Sequence, residues 1–329
     1  MSRRAWAWVR VLGGAGILAV VLWRLGTAAF LAGWRVTDAG TLLAALGIGV
    51  LTTVLSAWRW CLVARGLGLR LPLGGAVADY YRALFLNAAL PGGVLGDVHR
   101  AVRHGQDVGD VGRGVRAVVL ERTAGQAVLV VVGATALLIR PPGGLSPADL
   151  GVPPAVAAVA AAGIAAGVLA ALRLRRRDSR WRRAWRAALS DIRLGLLAPG
   201  SWPGVAVSSV LVLAGHLATF LIAARAAGSA APTGQLVPLL LLALLAMALP
   251  LNIGGWGPRE GVCAWAFGAA GLGAAQGLTT AVVYGLCAFV ASLPGAGVLV
   301  VRWRTGPRRP AAATRADQSW SAPNRSDSA

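Results

Sequence analysis

The chain has 329 residues, of which 57% are hydrophobic and only 13% charged, and this balance excludes an ordinary soluble domain. Its net charge of +20 comes from arginine alone, because the sequence contains no lysine, and the arginines gather at the ends of apolar runs. That distribution is typical of membrane proteins, whereas nucleic-acid binding needs a basic face or domain. The sequence therefore predicts an all-α polytopic membrane protein with no nucleic-acid partner.

Uninterrupted apolar runs of about 20 residues are long enough to cross the bilayer core. They lie near residues 11–31, 40–63, 116–139, 153–172, 204–226 and 276–301. Together with two interrupted stretches they predict about eight transmembrane helices. The expected organisation is a basic cytoplasmic N-terminus at 1–10, a membrane domain at 11–305 and a disordered cytoplasmic tail at 306–329.

The first interrupted stretch, residues 74–96, is apolar but carries Asp79, Arg82 and Asn87 and ends in Pro91-Gly92-Gly93. Because proline and glycine cannot continue a helix well, we predict a re-entrant or half-membrane hairpin here.

The second interrupted stretch, residues 235–273, holds a leucine-rich helix, a glycine- and proline-rich break at 250–258 and a short second helix. Each break begins with Leu-Pro, and an arginine follows ten residues after the leucine, at Arg100 and at Arg259. Similar breaks in two halves of a chain predict an inverted repeat whose binding site forms where half-helices meet. Whether 235–273 makes two crossings or one hairpin stays open.

The arginine bias predicts cytoplasmic N- and C-termini, with the arginine-poor loops 32–39, 140–152 and 227–234 on the opposite side. Within the basic loop 173–197, apolar residues recur at helical spacing opposite arginines. They are Trp181, Trp185, Ala188, Ile192 and Leu196. This pattern predicts an amphipathic helix on the anionic inner leaflet, and the alternative is a solvated basic loop that only sets topology.

The only two glutamates, Glu121 and Glu260, each adjoin an arginine in or beside an apolar segment. An ionisable pair in hydrocarbon is costly and marks a functional site by default. Helix N-termini, close-approaching glycine backbone and bidentate arginine all suit a phosphate group. We therefore predict that the arginines near the breaks face the phosphate of an anionic lipid, and that the carboxylates orient or neutralise them.

The phosphate-facing candidates are Arg259, Arg100, Arg122 and Arg82, and the orienting carboxylates are Glu260, Glu121 and Asp97. Polar and glycine residues of the two breaks complete the candidate substrate-binding set: Asn87, Gly92, Gly93, Asn252, Gly254 and Gly255. The alternative is that these charges form internal ion pairs or only fix topology.

Other polar residues give weaker signals of function. The group Asp97, His99, His104, Asp107 and Asp110 fits no familiar ligand spacing, so no metal or cofactor is expected. His216 stands alone in an apolar span and is expected to be a hydrogen-bonded packing residue. Arg59 is expected to extend toward the membrane interface.

Four motifs stand together in this chain: Arg82 to Asn87 with Leu-Pro-Gly-Gly, Gly96-Asp97-Val-His-Arg100, Glu121-Arg122, and Gly254-Gly255-Trp-Gly257-Pro-Arg259-Glu260. Their combination resembles the membrane domain of the lysylphosphatidylglycerol synthase/flippase family. The resemblance covers about residues 8 to 305 and implies about eight spans with re-entrant elements. In that family the domain is implicated in moving aminoacylated phosphatidylglycerol to the outer leaflet.

The resemblance does not imply the lipid, because stand-alone relatives are linked to hopanoid and polyprenyl-linked glycolipid pathways. The chain ends after the membrane domain, so synthase activity is not implied. We expect a flippase-like protein of the cell membrane that binds an anionic phospho- or glycolipid and moves it between leaflets.

The alternative is a scaffold subunit whose 173–197 loop docks a lipid-modifying enzyme or glycosyltransferase. An embedded transferase using Asp97 and Glu121 ranks last because no nucleophile and base stand at a plausible spacing, so no enzyme activity is expected.

Overall fold

A computed structural model describes residues 28–90, 93–139, 179–248 and 256–305. Within these ranges the chain is α-helical, with no strand, which confirms the all-α prediction. The helices are α1 (Ala28–Val36), α2 (Ala39–Gly66), α3 (Leu73–Ala89), α4 (Leu95–Asp107), α5 (Val111–Ile139), α6 (Ser179–Gly195), α7 (Trp202–Ala226), α8 (Thr233–Met247), α9 (Pro258–Ala269), α10 (Ala274–Ser292) and α11 (Pro294–Thr305).

Several predicted features lie outside the described residues. They are the N-terminal segment 1–10, most of the span 11–31, the span 153–172, the tail 306–329, and the site candidates Gly92, Asn252, Gly254 and Gly255.

Four helical stretches in the described ranges are long and apolar enough to cross a membrane. They are Ala39–Gly66, Val111–Leu137, Trp202–Ala226 and Ala274–Arg304. They confirm the spans predicted near 40–63, 116–139, 204–226 and 276–301. The last stretch contains both α10 and α11, which Leu293 separates. The first begins at an N-cap, where the Asp38 carboxylate accepts a hydrogen bond from the Thr41 backbone N–H at 2.7 Å.

Both predicted interruptions are real breaks between short helices. In the first half α3 ends at Ala89 and α4 begins at Leu95, and in the second α8 ends at Met247 and α9 begins at Pro258. Pro258 opens α9 because a missing N–H costs nothing at the first helical position. Gly257, directly before it, has φ +114°, a conformation that side-chain-bearing residues rarely adopt. Re-entry into the membrane and the inverted repeat stay predictions.

Two apolar cores hold the helices together, and each adjoins one break. The first packs α7, α8, α9 and α10 around residues such as Phe220, Leu240 and Phe267. The second packs α2, α3, α4 and α5 around Trp60, Val63 and Tyr80. The helices that follow the two breaks, α4 and α9, are thus fixed in different cores.

The basic loop forms helix α6 as predicted, and the helix is docked on the bundle. Ile192 packs against the second core, and Asp191 pairs with Arg116 of α5 at 2.6 Å. At Gly66 a Cβ atom would lie 2.3 Å from the Leu194 carbonyl oxygen, so the end of α2 touches this segment. The loop is therefore more than a solvated topology signal, while its place on a lipid surface stays a prediction.

Glycines lie where helices approach most closely, as is usual in membrane bundles. A Cβ at Gly277 of α10 would stand 2.2 Å from the carbonyl oxygen of Cys263 in α9. A Cβ at Gly96 of α4 would stand 2.2 Å from the carbonyl oxygen of Ala83 in α3. These contacts set the positions of the two helices that follow the breaks.

We expect Gly277→Ala to destabilise the protein by about 1–3 kcal/mol, because the new methyl group must displace backbone. Thermal unfolding of the purified protein in detergent, followed by tryptophan fluorescence, measures the change. Gly47→Ala is the matched control, since no atom lies within 4 Å of that position in α2. Equal melting temperatures for the two variants would contradict the close crossing of α9 and α10.

Candidate functional site

A buried carboxylate, Glu121 of α5, is the centre of the larger charged cluster. Its Oε1 accepts hydrogen bonds from Arg59 Nη2 at 2.6 Å and Nε at 3.1 Å, and Oε2 accepts one from Arg100 Nη2 at 2.7 Å. The Tyr80 hydroxyl also donates to Oε1, at 3.3 Å. Glu121 is 0% exposed, so these donors replace water around its charge.

A second carboxylate, Asp97, extends the cluster toward the first break. Its Oδ1 accepts from Arg100 Nε and from Arg122 Nη2, both at 2.8 Å. Its Oδ2 accepts from Asn87 Nδ2 at 3.0 Å. The Asn87 Oδ1 in turn accepts from the backbone N–H of Gly96 at 2.7 Å, so Asn87 satisfies a free donor at the start of α4.

Aromatic rings and a hydroxyl complete the surroundings of the arginines. Arg100 lies over Trp60 at 4.7 Å and over Tyr80 at 4.4 Å from the ring centroids. Arg59 Nη1 donates to the Ser209 hydroxyl of α7 at 3.0 Å. Cation–π contacts of this kind stabilise a desolvated cation.

Among the described residues, the cluster has one positive charge more than its carboxylates balance. Three guanidinium groups, those of Arg59, Arg100 and Arg122, meet the two carboxylates Asp97 and Glu121. Among the described residues, Arg100 Nη1 and Arg122 Nε have no hydrogen-bond partner. The Arg122 side chain is 38% exposed, whereas those of Arg59 and Arg100 are 4% and 0% exposed. A bound anion would balance this surplus, and Arg122 is the most exposed of the three arginines.

The expectation for Arg59 needs correction. Arg59 does not extend to the interface, because it is buried and bonded to Glu121. The sequence around Arg59 did not indicate this ion pair, because its partner Glu121 lies 62 residues away. Nor do the sequence neighbours Glu121 and Arg122 pair directly in the hydrogen bonds described; Arg122 bonds Asp97 instead, because adjacent helical residues point to different faces.

The second charged site begins α9 and is internally neutral. Both Nε, at 2.9 Å, and Nη2 of Arg259 donate to Glu260 Oε1. Glu260 Oε2 accepts from the Gly257 backbone N–H at 2.6 Å, which caps the helix. The guanidinium lies 4.9 Å from the Trp256 ring centroid and 5.4 Å from that of Tyr284. Arg259 and Glu260 are 1% and 0% exposed, so the predicted pair forms with little access from outside.

Two cavities adjoin these sites and share part of their walls. One of about 560 Å³ lies between α4 and α5, where Asp97 and Arg122 line it. The other, of about 280 Å³, is lined by Asn87 and Arg259. Gly93 and Met247, which border the two breaks, line both cavities. Residues on the described edges of the two breaks thus border the same space, while one binding site formed by half-helices stays a prediction.

Arg82 is separate from both cavities. It pairs with Asp79 at 3.2 Å and contacts His99 Nδ1 at 2.9 Å, while Asp79 also pairs with Arg302 of α11. Arg82 therefore joins α3 to α4, and Asp79 joins α3 to α11. These contacts match the alternative of an internal ion pair.

The structure also accounts for the remaining polar candidates. His216 shares a hydrogen bond of 3.2 Å with the Tyr284 hydroxyl, so it is a hydrogen-bonded residue as expected, and it also lines the smaller cavity. Within the described ranges no group of three or more His, Cys, Asp or Glu side chains is placed to hold a metal ion.

A comparison with known protein families matches most of the chain to one family. Residues 7–295 match the family model described as the lysylphosphatidylglycerol synthase TM region. No curated protein matches the chain.

We expect Glu121→Gln to destabilise the fold by about 3–5 kcal/mol, because it leaves buried arginines without their counter-charge. Asp110→Asn is the control: the Arg113–Asp110 pair is 52% and 44% exposed, and exposed pairs contribute about 0–1 kcal/mol. Thermal unfolding of both variants in the same detergent compares them. A Glu121→Gln protein as stable as Asp110→Asn would contradict the bridging role of Glu121.

Proposed function

Since the chain belongs to the lysylphosphatidylglycerol synthase TM region family, whose membrane domain is related to lipid handling, we propose that it binds an anionic lipid headgroup and moves the lipid between leaflets. The observation that carries the proposal is the surplus positive charge of the Glu121 cluster, which reaches a cavity through Arg122. A phosphate group supplies the missing negative charge and accepts hydrogen bonds from guanidinium N–H groups.

The depth of the site supports transfer between leaflets. Glu121 lies within the apolar stretch Val111–Leu137, and Thr52 and His216, which line the smaller cavity, lie near the middle of α2 and α7. A headgroup at the surface of a membrane protein needs no polar cavity at that depth. A headgroup that crosses the hydrocarbon does, because each unpaired polar group there costs several kcal/mol.

The larger cavity also offers room for an apolar part of the lipid. Besides Asp97 and Arg122 its wall includes Val98, Val115 and Val119, of which Val98 and Val119 are 54% and 55% exposed. Apolar and charged surface in one cavity suits an amphipathic ligand. We propose the cell membrane as the location, with both chain termini on the cytoplasmic side, following the arginine bias.

A scaffold for a lipid-modifying enzyme or glycosyltransferase is the second candidate. It is favoured by α6, which is docked on α2 and α5 while residues 186–190 stay exposed. Co-purification with such an enzyme, combined with no lipid transfer by the pure protein, favours this candidate over the first.

We expect Arg122→Gln to weaken binding of anionic lipids by about tenfold or more, because a charge-assisted hydrogen bond is lost. Native mass spectrometry of the purified protein, titrated with anionic and zwitterionic lipids, measures the change. Reconstitution with a fluorescent anionic lipid gives the transfer rate, which we expect to fall in parallel.

Arg116→Gln is the matched control for this experiment. Arg116 lies on the same helix but pairs with Asp191 of α6 and lines neither cavity described above. Melting temperatures of both variants separate lost binding from lost folding. A folded wild-type protein with no preference for anionic over zwitterionic lipids would refute the proposed function.

A further inference from the structure

One polar side chain of the larger cavity takes no part in the charged cluster. Gln126 of α5 lines this cavity and is exposed, and its amide makes no hydrogen bond with the other residues that the structure describes. The other polar side chains of the described lining have partners. Asp97 and Arg122 bond each other at 2.8 Å. The Thr123 hydroxyl donates to the Val119 carbonyl oxygen of its own helix at 2.9 Å. The Gln126 amide is therefore available to a ligand.

The depth of Gln126 makes this amide unusual. It lies near the middle of the apolar stretch Val111–Leu137, which is long enough to cross a membrane. An amide exposed to hydrocarbon is strongly unfavourable, because it gives up its hydrogen bonds to water. A membrane protein keeps such a side chain where it lines a polar path or bonds a neighbouring helix. The shared cavity wall with Asp97 and Arg122 favours the polar path.

The position of Gln126 relative to Arg122 gives this path two steps. The two residues are four apart, so their side chains lie on one face of α5, about one helical turn from each other. A guanidinium adds a positive charge to its hydrogen bonds, whereas an amide supplies two N–H donors and one acceptor without charge. A phosphate that leaves Arg122 toward the C-terminal end of α5 thus meets a weaker, neutral partner.

We propose that Gln126 is a transfer residue, which donates hydrogen bonds to the lipid phosphate after the phosphate leaves Arg122 and while the headgroup passes the middle of the membrane. This inference rests on the proposed function and adds a residue that sets the rate of transfer rather than the affinity. A neutral partner suits that role, because a ligand that crosses must be bound well enough to enter and weakly enough to leave.

The variant Gln126→Met separates rate from affinity, because methionine is similarly long and flexible but lacks the amide. In vesicles containing fluorescently labelled phosphatidylglycerol, we expect the transfer rate to fall about tenfold, since the headgroup loses a hydrogen bond at the barrier. Native mass spectrometry of the full chain should give an affinity for the same lipid within about twofold of wild type, because Arg122 still binds the phosphate. The melting temperature should stay equal or rise, since no hydrogen bond within the protein is lost.

Two further variants control for the substitution itself. Gln126→Asn keeps the amide on a side chain one methylene shorter, so it should retain more of the transfer rate than Gln126→Met. Gln106→Met is the matched control, because Gln106 of α4 is also exposed and lines neither cavity described above. It should transfer the labelled lipid at the wild-type rate.

The assignment of Gln126 and the proposed function fail on different results. If the wild type transfers the lipid and Gln126→Met does so equally fast, Gln126 is not a transfer residue. A loss of affinity as large as the loss of rate also overturns the assignment, because Gln126 would then be a binding residue like Arg122. So does a lower melting temperature or the loss of an oligomer in Gln126→Met, since the amide would then bond a neighbouring helix. A folded wild-type protein that neither prefers nor transfers the anionic lipid refutes the proposed function itself.

Discussion

A carboxylate in a membrane interior is tolerated only when fixed donors replace its water, and Glu121 meets this condition through Arg59, Arg100 and Tyr80. Its partners come from α2, α3 and α4, so one side chain of α5 joins four helices. The relative positions of these helices, and of the cavity between α4 and α5, depend on that bridge. Removing the bridge changes the core as well as the site.

The helices that follow the two breaks differ in what their acidic first-turn residues bind. After each break the new helix carries an acidic residue in its first turn, Asp97 in α4 and Glu260 in α9. Glu260 caps its own helix and neutralises Arg259, so this second site has no net charge. At the start of α4 the Gly96 N–H donates to the Asn87 side chain, while Asp97 accepts from two arginines. The first site therefore keeps a surplus positive charge.

Local rules predicted the all-α membrane class, four spans, both breaks and the helix in the basic loop, because hydropathy, proline and glycine act over short distances. The pairing of charges was less predictable. The Arg259–Glu260 contact follows from local rules, because the side chain of Glu260, the third residue of α9, folds back toward the start of its helix. The sequence did not indicate that Glu121 bonds Arg100 and Arg59 rather than its neighbour Arg122, and the expectation for Arg59 was wrong, since helix rotation and packing across 62 residues decide those contacts.

The surplus charge sits on arginine, which keeps its proton at any physiological pH. The protein therefore cannot neutralise that cluster by releasing a proton from a guanidinium, whereas a bound anion would balance it. Binding that favours the folded state stabilises it in proportion to the logarithm of ligand concentration. For the proposed lipid ligand, thermodynamic linkage means that its loss during detergent extraction would lower the stability of the folded protein, and that adding it back would restore that stability.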